Sequence, residues 1–186
     1  MNEVEARVHV VRTADALYYQ RGIQTVGMDD LRQATGVSLK RLYDLFPSKE
    51  AIVLAVMQFR HELWTDGVQG AVSDAATPTG RLLAIYDYLH DWFGTDSFRG
   101  CGFINAFGEL GAVSPRVARI AREHKQSFQD YVAILVCDAG GPPELASQLA
   151  ILAEGAQTTA AISGNTAAAL HAKHAAEILI HAHIHT

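Results

Sequence analysis

A charged helix face is the chemically most informative feature of the sequence. The stretch GVSLKRLYDLFPSKE, residues 36–50, predicts a short helix from residue 39 to about residue 46, capped by Ser38. At about 100° per residue, its outward residues are Lys40, Arg41, Tyr43 and Asp44, and its inward residues are Leu42, Leu45 and Phe46. Lysine and arginine donate to phosphates and base edges, and a tyrosine hydroxyl can bond a phosphate. This face therefore predicts DNA contact, the alternative being a solvated helix surface.

The start of the following helix offers a second site for an anion. Ser48 is placed to cap that helix, and Glu50 lies in its first turn. Helix N-termini present backbone N–H groups and the positive end of the helix dipole, and Lys49 adds a charge beside them. We therefore predict a compact phosphate site here.

Five histidines near the C-terminus raise the alternative of a metal-responsive sensor. His171 and His174 are three residues apart and His181 and His185 four, which are spacings that can share a zinc ion on a helix, and His183 lies between the latter two. Glu177 is the carboxylate at a matching spacing. Exposed histidines that suit a helix C-terminus explain the pattern more simply, so no metal site is predicted.

Acid–base or redox chemistry has weaker support in the sequence than DNA contact has. Cys101 could sense redox state, but a small buried hydrophobic residue is the preferred interpretation. Asn105, Glu109 and His124 could suggest acid–base catalysis, yet such polar groups serve equally well to orient a ligand in an apolar pocket. We predict no catalytic residue and no cofactor, and a helical enzyme is kept as the alternative function.

Helical periodicity runs through nearly the whole chain, and no segment keeps the alternation of a strand. We therefore predict an all-α fold of about nine helices, in which residues 28–35 and 39–46 form a helix-turn-helix around Gly36. A fourth helix is expected over residues 48–64. Gly67, Gly70 and Pro78 predict a loop or frayed helix end over residues 65–79.

Composition is that of a globular protein, with 49% hydrophobic and 19% charged residues among 186. The net charge of −5 argues at first against nucleic acid, but the first 60 residues hold eight basic and seven acidic residues, so the excess of acid lies beyond them. The start of the sequence lacks the features of a signal peptide, and the longest uncharged stretch, residues 155–172, is interrupted by polar residues. We predict a cytoplasmic protein without a membrane span.

The last two predicted helices, residues 143–162 and 166–184, are apolar on more than one face. Such helices are buried on two sides, and the second side is predicted to be another copy of the chain. Aromatic residues on facing helices are expected to form the core and to line a ligand pocket, with Asn105 as a polar member: Tyr86, Trp92, Phe93, Phe103, Phe107, Phe128 and Tyr131.

A series of motifs joins the first four helices. It comprises Gly22, Met28, Leu31, the turn Gly36-Val37-Ser38, Leu42-Tyr43 and Phe46-Pro47-Ser48-Lys49-Glu50. In residue type and spacing, over about residues 10–57, this pattern resembles the DNA-binding domain of the TetR family of transcriptional regulators. The segment RGCGFINAFGELG, residues 99–111, resembles one seen in a subset of such regulators.

The resemblance implies a homodimeric regulator, a repressor released from a palindromic double-stranded operator by a small-molecule effector. Residues 1–47 would form the DNA-binding domain, and residues 48–186 the ligand-binding domain that dimerises through its last two helices. The implied DNA interface comprises Thr25, Gly27, Ser38, Leu39, Lys40, Arg41, Tyr43, Asp44 and Lys49.

Several positions depart from the family pattern. Gly27 stands where a Ser or Thr usually caps the second helix, and Arg32 and Thr35 stand where Ala is usual. Lys40 and Arg41 replace the common Gly and Thr, which adds charge to the DNA-facing surface. The family's base preference therefore does not carry over to this chain.

Overall fold

The computed structural model describes residues 1–184, and this part of the chain contains α-helices and no strand. The all-α prediction is confirmed. The helices are α1 Glu3–Arg21, α2 Met28–Thr35, α3 Leu39–Leu45, α4 Lys49–Ser73, α5 Pro78–Phe93, α6 Gly102–Leu110, α7 Pro115–Asp138, α8 Pro143–Ser163 and α9 Ala167–His183.

Two compact units divide the chain, and each takes two segments. The first unit contains Met1–Leu63 and Gly102–Ala121, and the second contains Trp64–Cys101 and the described residues from Arg122 onward. These units group residues by packing, whereas the boundary expected between residues 47 and 48 separates two functions. That functional boundary stays a prediction.

The loop or frayed helix end predicted over residues 65–79 is wrong for residues 65–73, because α4 continues to Ser73. Gly67 does not interrupt this helix; it allows close packing, since a Cβ atom there would lie 2.7 Å from Tyr88 Cζ. The connection between α4 and α5 ends at Thr77, whose hydroxyl oxygen accepts from the Gly80 N–H at 3.0 Å and so caps α5. Pro78 lies in the first turn of α5.

A largely buried ion pair ties together the helices of the first unit. Asp15 of α1 and Arg60 of α4 form two hydrogen bonds, and their side chains are 14% and 19% exposed. Burial raises the pKa of Asp15, and the Arg60 charge partly opposes that rise. The guanidinium also lies 3.5 Å from the centre of the Tyr19 ring. Gly102 begins α6 against the same side chain, where a Cβ would lie 2.8 Å from Arg60 Cδ.

The core of the second unit is built mainly on α5, α8 and α9. Its fully buried side chains include Leu82, Leu145 and Leu149, and the alanines of α8 and α9 bring those two helices close together. The Tyr86 hydroxyl donates to the Leu149 carbonyl at 2.8 Å, and burial raises the pKa of this phenol. Within residues 1–184, no helix combines the length and apolar character needed to cross a bilayer.

Candidate nucleic-acid interface

The short helices α2 and α3 pack with α1 around a small apolar core. Val10, Leu31, Leu42 and Leu45 are almost completely buried there. Gly36 ends α2 with φ at +67°, a left-handed conformation that glycine adopts without a steric cost. Gly36, Val37 and Ser38 are the three residues that connect α2 to α3, and this short connection gives the predicted helix-turn-helix.

The outward face of α3 is as the periodicity predicts. Leu42, Leu45 and Phe46 are buried, whereas Lys40, Tyr43 and Asp44 are exposed and Arg41 is half-buried. Leu39 is also partly exposed beside them. At the start of the helix, the Ser38 hydroxyl oxygen accepts from the Arg41 N–H at 3.2 Å, so this residue acts as the cap. The helix thus presents cationic and hydroxyl groups while its apolar side fixes its orientation.

The end of α3 is held by a residue that sequence reasoning missed. Arg7 of α1 donates to the Leu45 carbonyl, and its guanidinium lies 4.3 Å from the centre of the Phe46 ring. Because Arg7 lies in α1, no local sequence pattern around α3 would assign it to this role. Its position shows that not every cation in the first 60 residues is available to DNA.

Thr35, which departs from the family pattern, has a clear structural function. Its hydroxyl donates to the Leu31 carbonyl at 2.6 Å, and its oxygen accepts from the Val37 N–H at 3.2 Å. The Thr35 carbonyl also hydrogen bonds with His9 Nε2 at 2.9 Å. These contacts satisfy polar groups at the end of α2, and they fix the turn that leads to α3.

The turn between α1 and α2 contains the two remaining predicted DNA contacts, Thr25 and Gly27. The Thr25 hydroxyl donates to the Arg21 carbonyl at 2.6 Å and so closes the end of α1. Gly27 donates its N–H to Asp30 Oδ2 at 2.7 Å, and this bond is the main reason that the pKa of Asp30 is lowered. Asp30 thereby supplies one half of a capping box, whereas glycine at position 27 has no side chain to supply the other half.

Lys49 lies at the start of α4, where the predicted phosphate site should be. The Ser48 hydroxyl oxygen accepts from the Ala51 N–H at 3.1 Å, which confirms Ser48 as a cap. Partial burial lowers the pKa of Lys49, and the negative charges of Glu109 and Asp30 oppose that shift. The ammonium group therefore lies in the field of two carboxylates, and a phosphate would have to compete with them.

The predicted pocket residues are distributed over both compact units. Phe103, Asn105 and Phe107 belong to α6 in the first unit, where Phe103 is buried and Phe107 is 49% exposed. The second unit contains the other five members, which are Tyr86, Trp92, Phe93, Phe128 and Tyr131.

An aromatic cluster in the second unit is centred on a residue that the sequence did not single out. The Trp64 ring makes edge contacts with Tyr88, Trp92 and Phe128, at centroid distances of 5.6, 5.5 and 5.6 Å. The buried His124 ring lies 6.3 Å from Trp64. Trp64 was missed because it lies close to the expected end of α4, which in fact continues beyond it. We call these five residues the Trp64 cluster.

Other candidate chemistry finds little support among the described residues. Within residues 1–184, no group of three His, Cys, Asp or Glu side chains could hold a metal ion, while His185 lies outside the described residues. His171, His174, His181 and His183 are exposed on α9. Cys101 is buried, as the sequence favoured, and its sulfur lies 3.4 Å from Lys125 Nζ, which pairs with Glu154 at 3.2 Å.

Comparison with known proteins agrees with this geometry. Residues 10–56 match the model of bacterial regulatory proteins of the tetR family, and this span covers most of α1, all of α2 and α3, and the start of α4. A TetR-family transcriptional regulator from Streptomyces coelicolor superimposes with a TM-score of 0.89 at 26% identity, covering 96% of this chain and 95% of that one. Residues 10–56 therefore form a DNA-binding domain of the tetR type, and the fold is that of a TetR-family regulator.

Two further relatives extend the match. A TetR-type regulator structure from Streptomyces avermitilis has a TM-score of 0.85 at 25% identity, and the match covers 97% of this chain and 99% of that one. The transcriptional activator FasR from Mycolicibacterium smegmatis is 28% identical over 148 residues, which is 79% of this chain. The matched part spans 66% of the length of FasR.

Proposed function

We propose that this TetR-family chain is a DNA-binding transcription regulator that recognises a palindromic operator as a homodimer. The observation that carries the proposal is the outward face of α3, where Lys40, Arg41 and Tyr43 are displayed by a helix whose opposite side is buried. Donors of this kind on the second helix of a helix-turn-helix suit the major groove. Family membership supports a regulator rather than an enzyme, and a bacterial DNA-binding regulator acts in the cytoplasm.

Dimerisation is proposed to use the outer faces of α8 and α9. Ile151 and Ile162 of α8 are 67% and 83% exposed, and Leu170 and Ile178 of α9 are 50% and 57% exposed. Large apolar side chains at such exposure on two adjacent helices are typical of a surface that another subunit covers. A two-fold axis through this surface would give two DNA-binding heads for two half-sites, spaced by one helical turn of about 34 Å or a multiple of it.

The effector is proposed to be a small apolar or aromatic molecule that binds at the Trp64 cluster. Ligand pockets are lined mainly by aromatic and apolar side chains with a few polar groups, and the buried His124 would supply a polar group here. The effector shifts operator binding only through different affinities for two conformations of the dimer. Where the operator overlaps a promoter, the bound chain acts as a repressor and the effector releases it. The relative FasR, in contrast, is named an activator.

Tryptophan emission tests the effector site directly. Trp64 and Trp92 are the two tryptophans of the chain, and both lie in the cluster. We expect any compound that releases the protein from its operator to change this emission over the same concentration range. Fluorescence titration beside operator release measures both effects. A releasing compound that leaves the emission unchanged would place the effector site elsewhere.

Operator binding itself is tested by gel retardation with the DNA upstream of the chain's own gene, and with a random duplex of equal length. We expect retardation at low salt, preference for the upstream fragment, and a linear fall of log affinity with log salt. Lys49→Ala should lower the affinity for both duplexes by a similar factor, because a phosphate contact is independent of sequence. A wild-type protein that retards neither duplex at low salt would contradict the proposal.

A further inference from the structure

Glu109, at the end of α6, makes an unusual contact with the turn that follows α1. Its Oε1 accepts from the Ile23 N–H at 3.0 Å and its Oε2 from the Gln24 N–H at 2.8 Å. The Gln24 side chain returns a bond from Nε2 to the Glu109 carbonyl at 2.5 Å. A carboxylate that accepts two successive backbone amides is a strong, charge-assisted anchor for a turn.

The fit of the carboxylate against the turn is close. Gly22 has φ at +83°, and a Cβ atom there would lie 3.3 Å from Glu109 Oε2. The carboxylate is thus seated where a side chain at position 22 would begin. Gly22 is therefore required twice, once by its backbone conformation and once by the approach of Glu109.

The turn held in this way leads directly to the predicted DNA contacts. Thr25 and Gly27 follow Gln24 within three residues, and Gly27 is the N-cap residue immediately before α2. Thr25, within the turn, and Asp30 of α2 stabilise the same turn, and both belong to the DNA-binding head, residues 1–47. Glu109 differs because it comes from α6, separated from its turn partners by 85 and 86 positions in the chain.

We propose that Glu109 is a positioning residue for operator recognition: its carboxylate fixes the α1–α2 turn, and with it the N-terminal end of α2, from outside the DNA-binding head. This inference rests on the proposed DNA-binding function. It also assigns a purpose to the Arg99–Gly111 segment, since α6 places Glu109 at the turn.

Removing the Glu109 carboxylate distinguishes a positioning role from a purely electrostatic one, because the two roles change DNA affinity in opposite directions. Glu109 lies close enough to Lys49 to act on its charge, so by charge alone Glu109→Ala should tighten DNA binding. If the carboxylate positions the turn, the same variant instead weakens binding to the upstream fragment about tenfold. Glu109→Gln retains one acceptor oxygen and should fall between wild type and Glu109→Ala.

Two controls accompany these variants. Glu144→Ala removes an exposed carboxylate at the start of α8, and it should leave operator affinity unchanged. Amide hydrogen exchange gives a readout that needs no DNA: in Glu109→Ala, exchange at Ile23 and Gln24 should accelerate about tenfold or more. Exchange at the buried Leu149 should stay at the wild-type rate, which shows that the variant is folded.

The outcomes distinguish this inference from the function on which it rests. Slow exchange at Ile23 and Gln24 in Glu109→Ala, or operator affinity equal to or above that of the wild type, overturns the positioning role alone. A wild-type chain that retards no DNA overturns the proposed function, and the positioning role falls with it. Accelerated exchange with weaker operator binding in Glu109→Ala, and an intermediate Glu109→Gln, supports both.

Discussion

Operator affinity should fall on the order of 100-fold or more at fixed salt when Lys40 and Arg41 are both replaced by alanine. The two side chains lie on the outward face of α3 while Leu42 and Leu45 hold the helix, so the substitutions remove donors without disturbing the core. In the proposed dimer, the double variant removes four cations at once. The slope of log affinity against log salt should become shallower by about 0.9 for each phosphate that is no longer neutralised. Gel retardation over a salt series measures both quantities.

A matched control separates this effect from a general change of charge. Arg119→Ala with Arg122→Ala removes the same charge from exposed positions on α7, and it should leave operator affinity within about threefold of wild type. Arg41 also tests base recognition: if it contacts a base edge, Arg41→Ala alone relaxes sequence preference at one position of each half-site. If the Lys40/Arg41 variant and the α7 variant lost operator affinity equally, the proposal that α3 contacts the operator would be contradicted.

Placing glutamate at both Ile151 and Ile178 should convert the proposed dimer into a monomer. Each residue is more than half exposed in the single chain, so the substitutions cost little within one subunit. Across the proposed two-fold interface they would bring four carboxylates into an apolar surface, where unpaired charges are strongly unfavourable. Operator affinity should then fall about 10²- to 10⁴-fold, because each half-site would be bound without the linkage that a dimer provides.

Sedimentation velocity measures the change of mass, and Ile134 provides the control. This α7 residue is 59% exposed, close to the 57% of Ile178, so Ile134→Glu introduces the same charge at a similar exposure outside α8 and α9. We expect that variant to sediment as wild type does. A double variant that keeps the mass of two chains would place the dimer interface on another surface.

The parts of the fold that could be predicted are those set by local sequence. The bounds of α2, the buried side of α3 and the caps at Ser38 and Ser48 follow from periodicity and from side chains that bond within three residues. The exposed face of α3 could be predicted for the same reason, because α3 needs no distant partner to decide which of its faces is buried.

The parts that could not be predicted depend on distant residues. Gly67 looks like a helix break until Tyr88 is known to lie against it. Glu109 looks like a candidate acid until its two acceptor oxygens are found on the turn after α1. Arg7 and Trp64 likewise acquire their roles only from residues in other helices. In each case the deciding contact is tertiary, and single-sequence periodicity does not describe it.

The pairing of Asp15 with Arg60 has a consequence for how related sequences diverge. Loss of Asp15 leaves the Arg60 guanidinium without its carboxylate, and loss of Arg60 leaves the largely buried Asp15 carboxylate without its counter-ion. A larger residue at position 102 would approach the Arg60 side chain too closely. We therefore expect a single replacement at any of these three positions to be destabilising. Lineages that abandon the arrangement should therefore do so by coordinated exchange, with positions 15, 60 and 102 changing as one set.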